Sequence, residues 1–122
     1  MKRAHHDLEA WREALGLVKA VYSATSKFPK DEQFCLTSQM RRAAISIPSN
    51  IAEGAARASS REFLKFLVIA RGSLMELDTQ ICIANEQGYF ADGTEENLGT
   101  RVERVFALIS GLISAKRRAV SP

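Results

Sequence analysis

The sequence predicts an all-α protein, an antiparallel up-down-up-down four-helix bundle in one domain over residues 1–122. Apolar residues recur at three- and four-residue steps in four segments, which is the period of one helix face. A chain of 122 residues is the size of a single domain. Its 7 Gly and 3 Pro are few for the many turns of a sandwich or barrel. We expect helices over about residues 7–26, 32–57, 59–87 and 92–117.

The first predicted helix carries two apolar rows, and Pro29 ends it by disfavouring helical geometry at Phe28. One row has the spacing of a helix face and contains Leu8, Trp11, Leu15, Val18 and Tyr22. The row beside it contains Ala10, Ala14, Leu17 and Val21.

The second predicted helix has its apolar stripe at Leu36, Met40, Ala43, Ala44, Ile47, Ile51 and Ala55. Pro48 lies inside it, and a mid-helix proline removes one backbone hydrogen bond and clashes with the preceding turn. We therefore expect a kink at Pro48, or a new start of the helix near it.

The last two helices have recognisable ends. Ser59 with Glu62 three residues later is a capping pattern, and Gly88 is a natural stop for the third helix. Asp92, with Glu95 three residues later, predicts the cap of the fourth helix. The third stripe is Phe63, Phe66, Leu67, Ala70, Leu74, Leu77, Ile81 and Ala84, and the fourth is Leu98, Val102, Val105, Phe106, Ile109, Leu112 and Ile113.

The third helix carries more apolar surface than a monomeric bundle needs, because a second row lies well away from its core stripe. We interpret such extra rows on the first and third helices as contacts between subunits. The predicted interface comprises Ala14, Leu17, Val21, Leu64, Val68 and Met75, with Cys82 continuing the row on the third helix. The alternative is that a tilted neighbouring helix covers these rows within the monomer.

Motifs for chemistry are sparse, so we predict no catalytic, metal or cofactor site. His5 and His6 are the only histidines, interpreted as flexible N-terminal sequence, and the chain has no Glu-x-x-His, GxSxG or glycine-rich phosphate loop. Cys35 and Cys82 stand far apart, which suggests buried reduced thiols in a cytoplasmic protein. An acid–base pair of Glu53 and Glu76 is the only enzymatic hypothesis left.

A polar stripe crosses the middle helices and lies next to the core row. It contains Ser46, Ser49, Asn50, Glu53, Ser73, Glu76 and Gln80. Buried polar groups need partners, so we expect an interhelical hydrogen-bond network, with a partner-binding groove as the alternative.

Basic residues are the other candidate feature, although the net charge is only +3. The possible nucleic-acid contacts are Arg41, Arg42, Arg57, Arg61, Lys65, Lys116, Arg117 and Arg118. Such charges commonly form a solvated face, but a ring of subunits would multiply them into a field that binds phosphates. No apolar run is long enough for a membrane span.

Residues Gln39–Gly54 resemble the signature of the bacterial four helix bundle protein family, first noticed in intervening sequences of large-subunit ribosomal RNA. The opening Leu8–Trp11 segment is also similar, and the resemblance covers nearly the whole chain. It implies a bundle that assembles into a ring, typically a homopentamer. A related protein, the accessory variability determinant of diversity-generating retroelements, binds a reverse transcriptase and nucleic acid.

The sequence therefore predicts a non-enzymatic, ring-forming interaction or assembly module without a cofactor. The alternative is an accessory nucleic-acid-binding protein that works with a reverse transcriptase or structured RNA.

Overall fold

The computed structural model describes residues 2–121 and contains four α-helices. They are α1 (Glu9–Thr25), α2 (Leu36–Ala55), α3 (Ser60–Glu86) and α4 (Thr94–Val120). Two short 3-10 segments, Ala4–Asp7 and Lys30–Glu32, precede α1 and α2, and no strand occurs among residues 2–121. The predicted all-α class is confirmed.

Each helix packs on two others, which is the arrangement of a four-helix bundle. Within the described chain α1 and α3 each contact α2 and α4, and the diagonal pairs make no contact. The last turn of α2 meets the start of α3 where Gly54 packs on Phe63. The segment before α2 meets the segment after α3 through a hydrogen bond between Glu32 and Tyr89. Antiparallel neighbours are expected to make these contacts.

The ends of α3 follow the sequence prediction. Ser59 is the N-cap, and its hydroxyl accepts a hydrogen bond from the Glu62 amide at 3.2 Å. Gly88 has a φ of +74°, the left-handed conformation that glycine adopts without a Cβ penalty. The amides of Gly88 and Tyr89 donate back to the carbonyls of Asn85 and Ala84, which makes a Schellman motif.

The predicted cap of α4 at Asp92 is wrong. The helix begins at Thr94, and Gly93 occupies the cap position with a φ of +84° and no side-chain cap. Since the left-handed Gly93 makes the last bend before the helix, Asp92 lies one residue too early to cap it.

The second helix starts later than predicted and continues through its proline. Glu32 belongs to the 3-10 segment, and Cys35 has a non-helical backbone with φ −121° and ψ −106°. Glu32 Oε1 accepts the Leu36 amide at 3.3 Å and so helps to satisfy the first turn. No new start occurs near Pro48, which is buried within the continuous helix. The kink at this position stays a prediction.

All four helices contribute to one core. Its largest fully buried side chains are Leu17, Val21, Met40, Ile47, Ile51, Leu67, Leu74, Leu77, Leu98, Val105, Ile109 and Ile113. At Gly54 α2 lies close against α3, because an added Cβ would lie 2.8 Å from the Phe66 Cβ and 2.9 Å from the Phe63 ring.

The two ends of the bundle differ in the connections that they hold. The turn end holds the α1–α2 and α3–α4 connections, where the buried Phe28 ring lies 5.2 Å from Tyr89 and 5.6 Å from Phe90 between ring centroids. The opposite end holds the α2–α3 turn, the start of α1 and the end of α4, and we call it the basic end.

None of the helices in the described part combines the length and hydrophobicity that a bilayer crossing requires.

Candidate interaction surfaces

The two apolar rows of α1 have the opposite roles from those predicted. Ala14, Leu17 and Val21 are fully buried in the core, and Ala10 is nearly so. They are not available to a neighbouring subunit, so this part of the predicted interface is wrong.

The bulky row of α1 is the partly exposed one. We define the first apolar surface as Trp11, Leu15, Val18 and Tyr22 of α1 with Ile45 of α2. Leu15, Tyr22 and Ile45 each expose about two-fifths of their area, at 42%, 40% and 42%. Trp11, Leu15, Val18 and Ile45 also line a groove of about 290 Å³ between α1 and α2. The surface therefore spans two helices.

A second apolar surface, defined as Leu64, Val68 and Met75, lies on α3. Val68 and Met75 are 42% and 40% exposed, and the half-buried Leu64 packs against the core. At about 100° per residue these positions lie away from Ser73, which contacts α2. Because α1 and α3 are diagonal in the bundle, the two apolar surfaces face in different directions.

Phe34 is the most exposed large apolar side chain among the described residues, at 87%. Its exposure was not predicted, because Phe34 falls inside the predicted second helix, where it belongs to no stripe. It lies between the 3-10 segment and α2. The sequence did contain one indication of this exposure, because a phenylalanine outside every apolar stripe is not expected in the core.

Part of the polar stripe connects α2 to α3. The hydroxyls of Ser46 and Ser73 lie 2.9 Å apart. Asn50 Nδ2 donates to the Ser46 carbonyl at 2.8 Å and to its hydroxyl at 3.0 Å. This cluster is half-buried, so its hydrogen bonds are shielded from water.

The rest of the stripe makes local contacts instead. Gln80 Nε2 donates to Glu76 Oε2 within α3 at 3.3 Å, and Glu53 pairs with Arg57 within α2 at 3.0 Å. Ser49 is exposed and lines the α1–α2 groove. The Glu53 and Glu76 carboxylates thus have separate partners, which gives no support to an acid–base pair.

The two adjacent arginines of α2 have different surroundings. Arg41 Nε donates to Thr25 Oγ1 at 2.9 Å, and its guanidinium lies 4.4 Å from the centroid of the Tyr22 ring. Arg41 therefore ties α1 to α2. Arg42 is exposed and lines a polar cavity of about 280 Å³ together with Ser73 and Glu76.

Six of the eight predicted basic contacts meet at the basic end. Lys116 Nζ lies 4.8 Å from the Phe63 ring centroid, and the Arg57 guanidinium lies 4.8 Å from that of Phe66. These contacts bring the end of α4 to the α2–α3 turn. Lys116 is half-buried, and the exposed members of the cluster are Arg57, Arg61, Lys65, Arg117 and Arg118.

The histidine pair is packed, and the expectation of a flexible segment is wrong. His5 and His6 lie in the first 3-10 segment, with ring centroids 4.9 Å and 5.2 Å from that of Trp11. Partial burial, together with the neighbouring charges of His6 and Arg3, lowers the pKa of His5. Among residues 2–121 no group of three or more His, Cys, Asp or Glu side chains could hold a metal ion.

Both cysteines are free and exposed, so the expectation of buried thiols is wrong. Cys35 stands just before α2, where the backbone is not helical. Cys82 continues the row of Val68 and Met75 on the outward side of α3.

These features define a small helical-bundle protein whose distinctive parts are surfaces: two apolar, one basic and one polar. The sequence profile of the 23S rRNA-intervening sequence protein matches residues 6–111, which is most of the chain. The chain therefore belongs to the 23S rRNA-intervening sequence protein family, and the resemblance found in the sequence is confirmed. A search of the curated proteins finds no match.

Proposed function

We propose that the protein is a non-catalytic interaction module of the cytoplasm whose chains assemble into a ring. The observation that carries this proposal is the presence of two separate apolar surfaces, one on α1 and α2 and the other on α3. When a partner covers large apolar side chains that are two-fifths exposed, the burial of apolar surface stabilises the assembly.

Two different surfaces fit a head-to-tail interface, in which the first surface of one chain packs on the second surface of the next. Such a heterologous contact gives a ring when the rotation closes. The subunit number of five follows from the family resemblance, and the two surfaces themselves specify only the head-to-tail mode.

Native mass spectrometry at micromolar concentration tests the proposal. We expect a closed oligomer for the wild type and a monomer for Leu15→Glu and for Val68→Glu, because each substitution places a charge in one surface. Phe106→Glu is the matched control, since Phe106 is 39% exposed on α4 and belongs to neither surface.

Mixing the two variants makes the test specific for a head-to-tail contact. Leu15→Glu keeps its second surface and Val68→Glu keeps its first, so an equal mixture should give heterodimers although each variant alone is monomeric. A monomeric wild type, or an oligomer that withstands both substitutions, would contradict the proposal.

The basic end favours a second candidate function, binding of nucleic acid through phosphate contacts. Arg61, Lys65, Arg117 and Arg118 are exposed there on two helices that Lys116 and Phe63 bring together. Phosphate binding releases counterions and therefore weakens steeply with salt. A reverse transcriptase or a structured RNA is the partner class that the family resemblance suggests for this role.

A gel-shift assay at about 50 mM and about 200 mM salt tests this candidate. We expect binding of a structured RNA hairpin at the lower salt and a marked loss at the higher one. The double variant Arg61→Gln/Arg117→Gln should bind several-fold more weakly than Lys30→Gln/Arg71→Gln, which removes the same charge elsewhere. Equal binding by the two variants would argue against a site at the basic end.

A further inference from the structure

A cleft of about 570 Å³ lies between α1 and α4 at the turn end. Its walls are formed by the second half of α1, the first turns of α4 and the segment from Tyr89 to Gly93. The volume falls within the range of about 300–1,000 Å³ that small-molecule sites occupy. This cleft is separate from the two apolar surfaces and from the basic end.

Three basic side chains line the cleft, Lys19 and Lys27 from α1 and its C-terminal turn and Arg101 from α4. None of them makes a hydrogen bond or ion pair with another described residue, unlike Arg57 and Arg104, which pair with glutamates. Asp92 is the single acidic residue among the lining residues. The lining thus carries three cationic side chains and one anionic one, and none of the three cations makes an ion pair within the described residues.

The Arg101 side chain lies close to the backbone of α1, because Gly16 has no side chain at the point of contact. A Cβ at Gly16 would lie 3.1 Å from Arg101 Nη1, so Gly16 leaves the space that the guanidinium occupies. The guanidinium therefore reaches across the cleft from α4 to α1. A planar guanidinium is suited to phosphate, because it offers several donors in a fixed geometry.

The remaining wall offers apolar surface. Tyr89 and Phe90 are half-buried, and both rings pack on Phe28, which fixes them at the edge of the cleft. Ala20 and the buried Leu98 lie on the facing helices. The cleft therefore combines unpaired cations with a rigid aromatic and apolar edge.

We propose that this cleft binds a small phosphorylated molecule. Its phosphate group contacts Lys19 and Arg101, Lys27 adds positive charge to the same cleft, and its aromatic or apolar part packs against Tyr89 and Phe90. The proposal does not rest on ring assembly, because the residues that carry it belong to one chain and to neither apolar surface.

Isothermal titration calorimetry of the full chain in low salt tests the proposal, with adenosine monophosphate, adenosine and inorganic phosphate as probes. We expect saturable binding of adenosine monophosphate that is at least tenfold tighter than binding of either part alone. Arg101→Gln and Lys19→Gln should each weaken it about tenfold, since each removes a charged donor. The matched control Lys30→Gln removes an exposed lysine outside the cleft and should leave binding unchanged.

Two further variants separate loss of binding from loss of folding. Asp92→Asn should strengthen binding of adenosine monophosphate several-fold, because it removes the only negative charge from the lining. Gly16→Ala should weaken it, because the added methyl group displaces the Arg101 guanidinium.

Absence of saturable binding by the wild type, or equal weakening by Lys30→Gln and Arg101→Gln, would overturn the proposal. Inorganic phosphate binding as tightly as adenosine monophosphate would overturn the role given to Tyr89 and Phe90. A short 5′-phosphorylated DNA strand is the second possible source of the phosphate. If it bound more tightly than adenosine monophosphate in an Arg101-dependent manner, the cleft would be a nucleic-acid site and the proposal would be wrong.

Discussion

The turn end and the basic end of the bundle use aromatic rings in different ways. At the turn end Tyr89 and Phe90 both pack on Phe28, and the Tyr89 hydroxyl donates to Glu32 at 2.7 Å. At the basic end Phe63 and Phe66 lie against Gly54 and beneath the cationic groups of Lys116 and Arg57.

The rings therefore have different roles at the two ends. Rings that pack on rings fix the two loops of the turn end, together with the Tyr89–Glu32 hydrogen bond. At the basic end the rings hold cations at the surface, where each such contact contributes about 0.5–1 kcal/mol. Cations are present at both ends, and at the basic end two of them lie against Phe63 and Phe66.

The largest effect is expected from Phe28→Ala at the turn end. Phe28 is 8% exposed, and removal of a buried aromatic ring should lower the free energy of unfolding by about 3 kcal/mol. Phe34→Ala is the matched control, since Phe34 is 87% exposed and should change stability by less than about 0.5 kcal/mol. Urea denaturation followed by circular dichroism measures both, and similar losses would show that the aromatic cluster does not hold the turn end.

At the basic end the sensitive position is Gly54. Gly54→Ala would force its Cβ to within 2.8 Å of Phe66 and 2.9 Å of Phe63, and overpacking of this kind costs about 1–3 kcal/mol. The gain in helix propensity, about 1 kcal/mol, offsets only part of that cost. We expect a net loss of about 1 kcal/mol, measured by chemical denaturation.

Gly72→Ala provides the control for this position. Gly72 lies in α3 with no atom within 4 Å of an added Cβ, so the same substitution should stabilise by about 0.5–1 kcal/mol. If both variants were stabilised, the close helix approach at Gly54 would have no energetic consequence.

A smaller effect is expected for Tyr89→Phe, which removes the hydrogen bond to Glu32. The free energy of unfolding should fall slightly near neutral pH, because the phenol–carboxylate hydrogen bond is lost. The hydrogen bond to the Glu32 carboxylate, then partial burial and the charges of Glu32 and Asp31, raise the pKa of Tyr89 above its usual 10.0.

The raised pKa gives a pH dependence of known sign. Above pH 10 the unfolded chain loses the Tyr89 proton before the folded chain does, so the free energy of unfolding falls as pH rises. The hydrogen-bond contribution is fully present below pH 10 and is lost as pH passes the folded pKa. The free energies of unfolding of the wild type and Tyr89→Phe, measured by denaturation at a series of pH values, should converge in this range. Parallel curves would show that the Tyr89 proton is not linked to stability.

The smallest effect is expected at Glu53, in the exposed pair with Arg57 near the basic end. Its side chain is 53% exposed, and exposed ion pairs contribute about 0–1 kcal/mol. Glu53→Gln should therefore shift the thermal midpoint only slightly, as measured by calorimetry. Ser46→Val, which disrupts the half-buried Ser46–Ser73–Asn50 cluster, should shift it more.

The number and positions of the helices could be read from the sequence because an apolar stripe of period 3.6 identifies a helix face. The caps at Ser59 and Gly88 were also readable, since each depends on local backbone chemistry. Asp92 failed as a cap because the left-handed turn at Gly93 determines where α4 begins. That conformation depends on how the loop returns to the bundle.

The candidate surfaces were only partly predictable. Val68 and Met75 are exposed as a second row should be, but Leu17 is buried although it was placed in the same interface. Two adjacent apolar rows on one helix have similar periodicity, so hydropathy cannot say which one faces the core. That choice depends on how α1 packs against α2 and α4.

The sequence by itself determined the all-α class, the four helices, most of the core stripes and the family. It could do so because helical periodicity, capping chemistry and the Gln39–Gly54 signature are local properties of the chain. The tertiary structure alone decided the inward row of α1, the grouping of basic residues at one end, the exposed Phe34 and the cleft of Lys19, Lys27 and Arg101. Each of these depends on residues far apart in sequence that become neighbours only when four helices pack around one core.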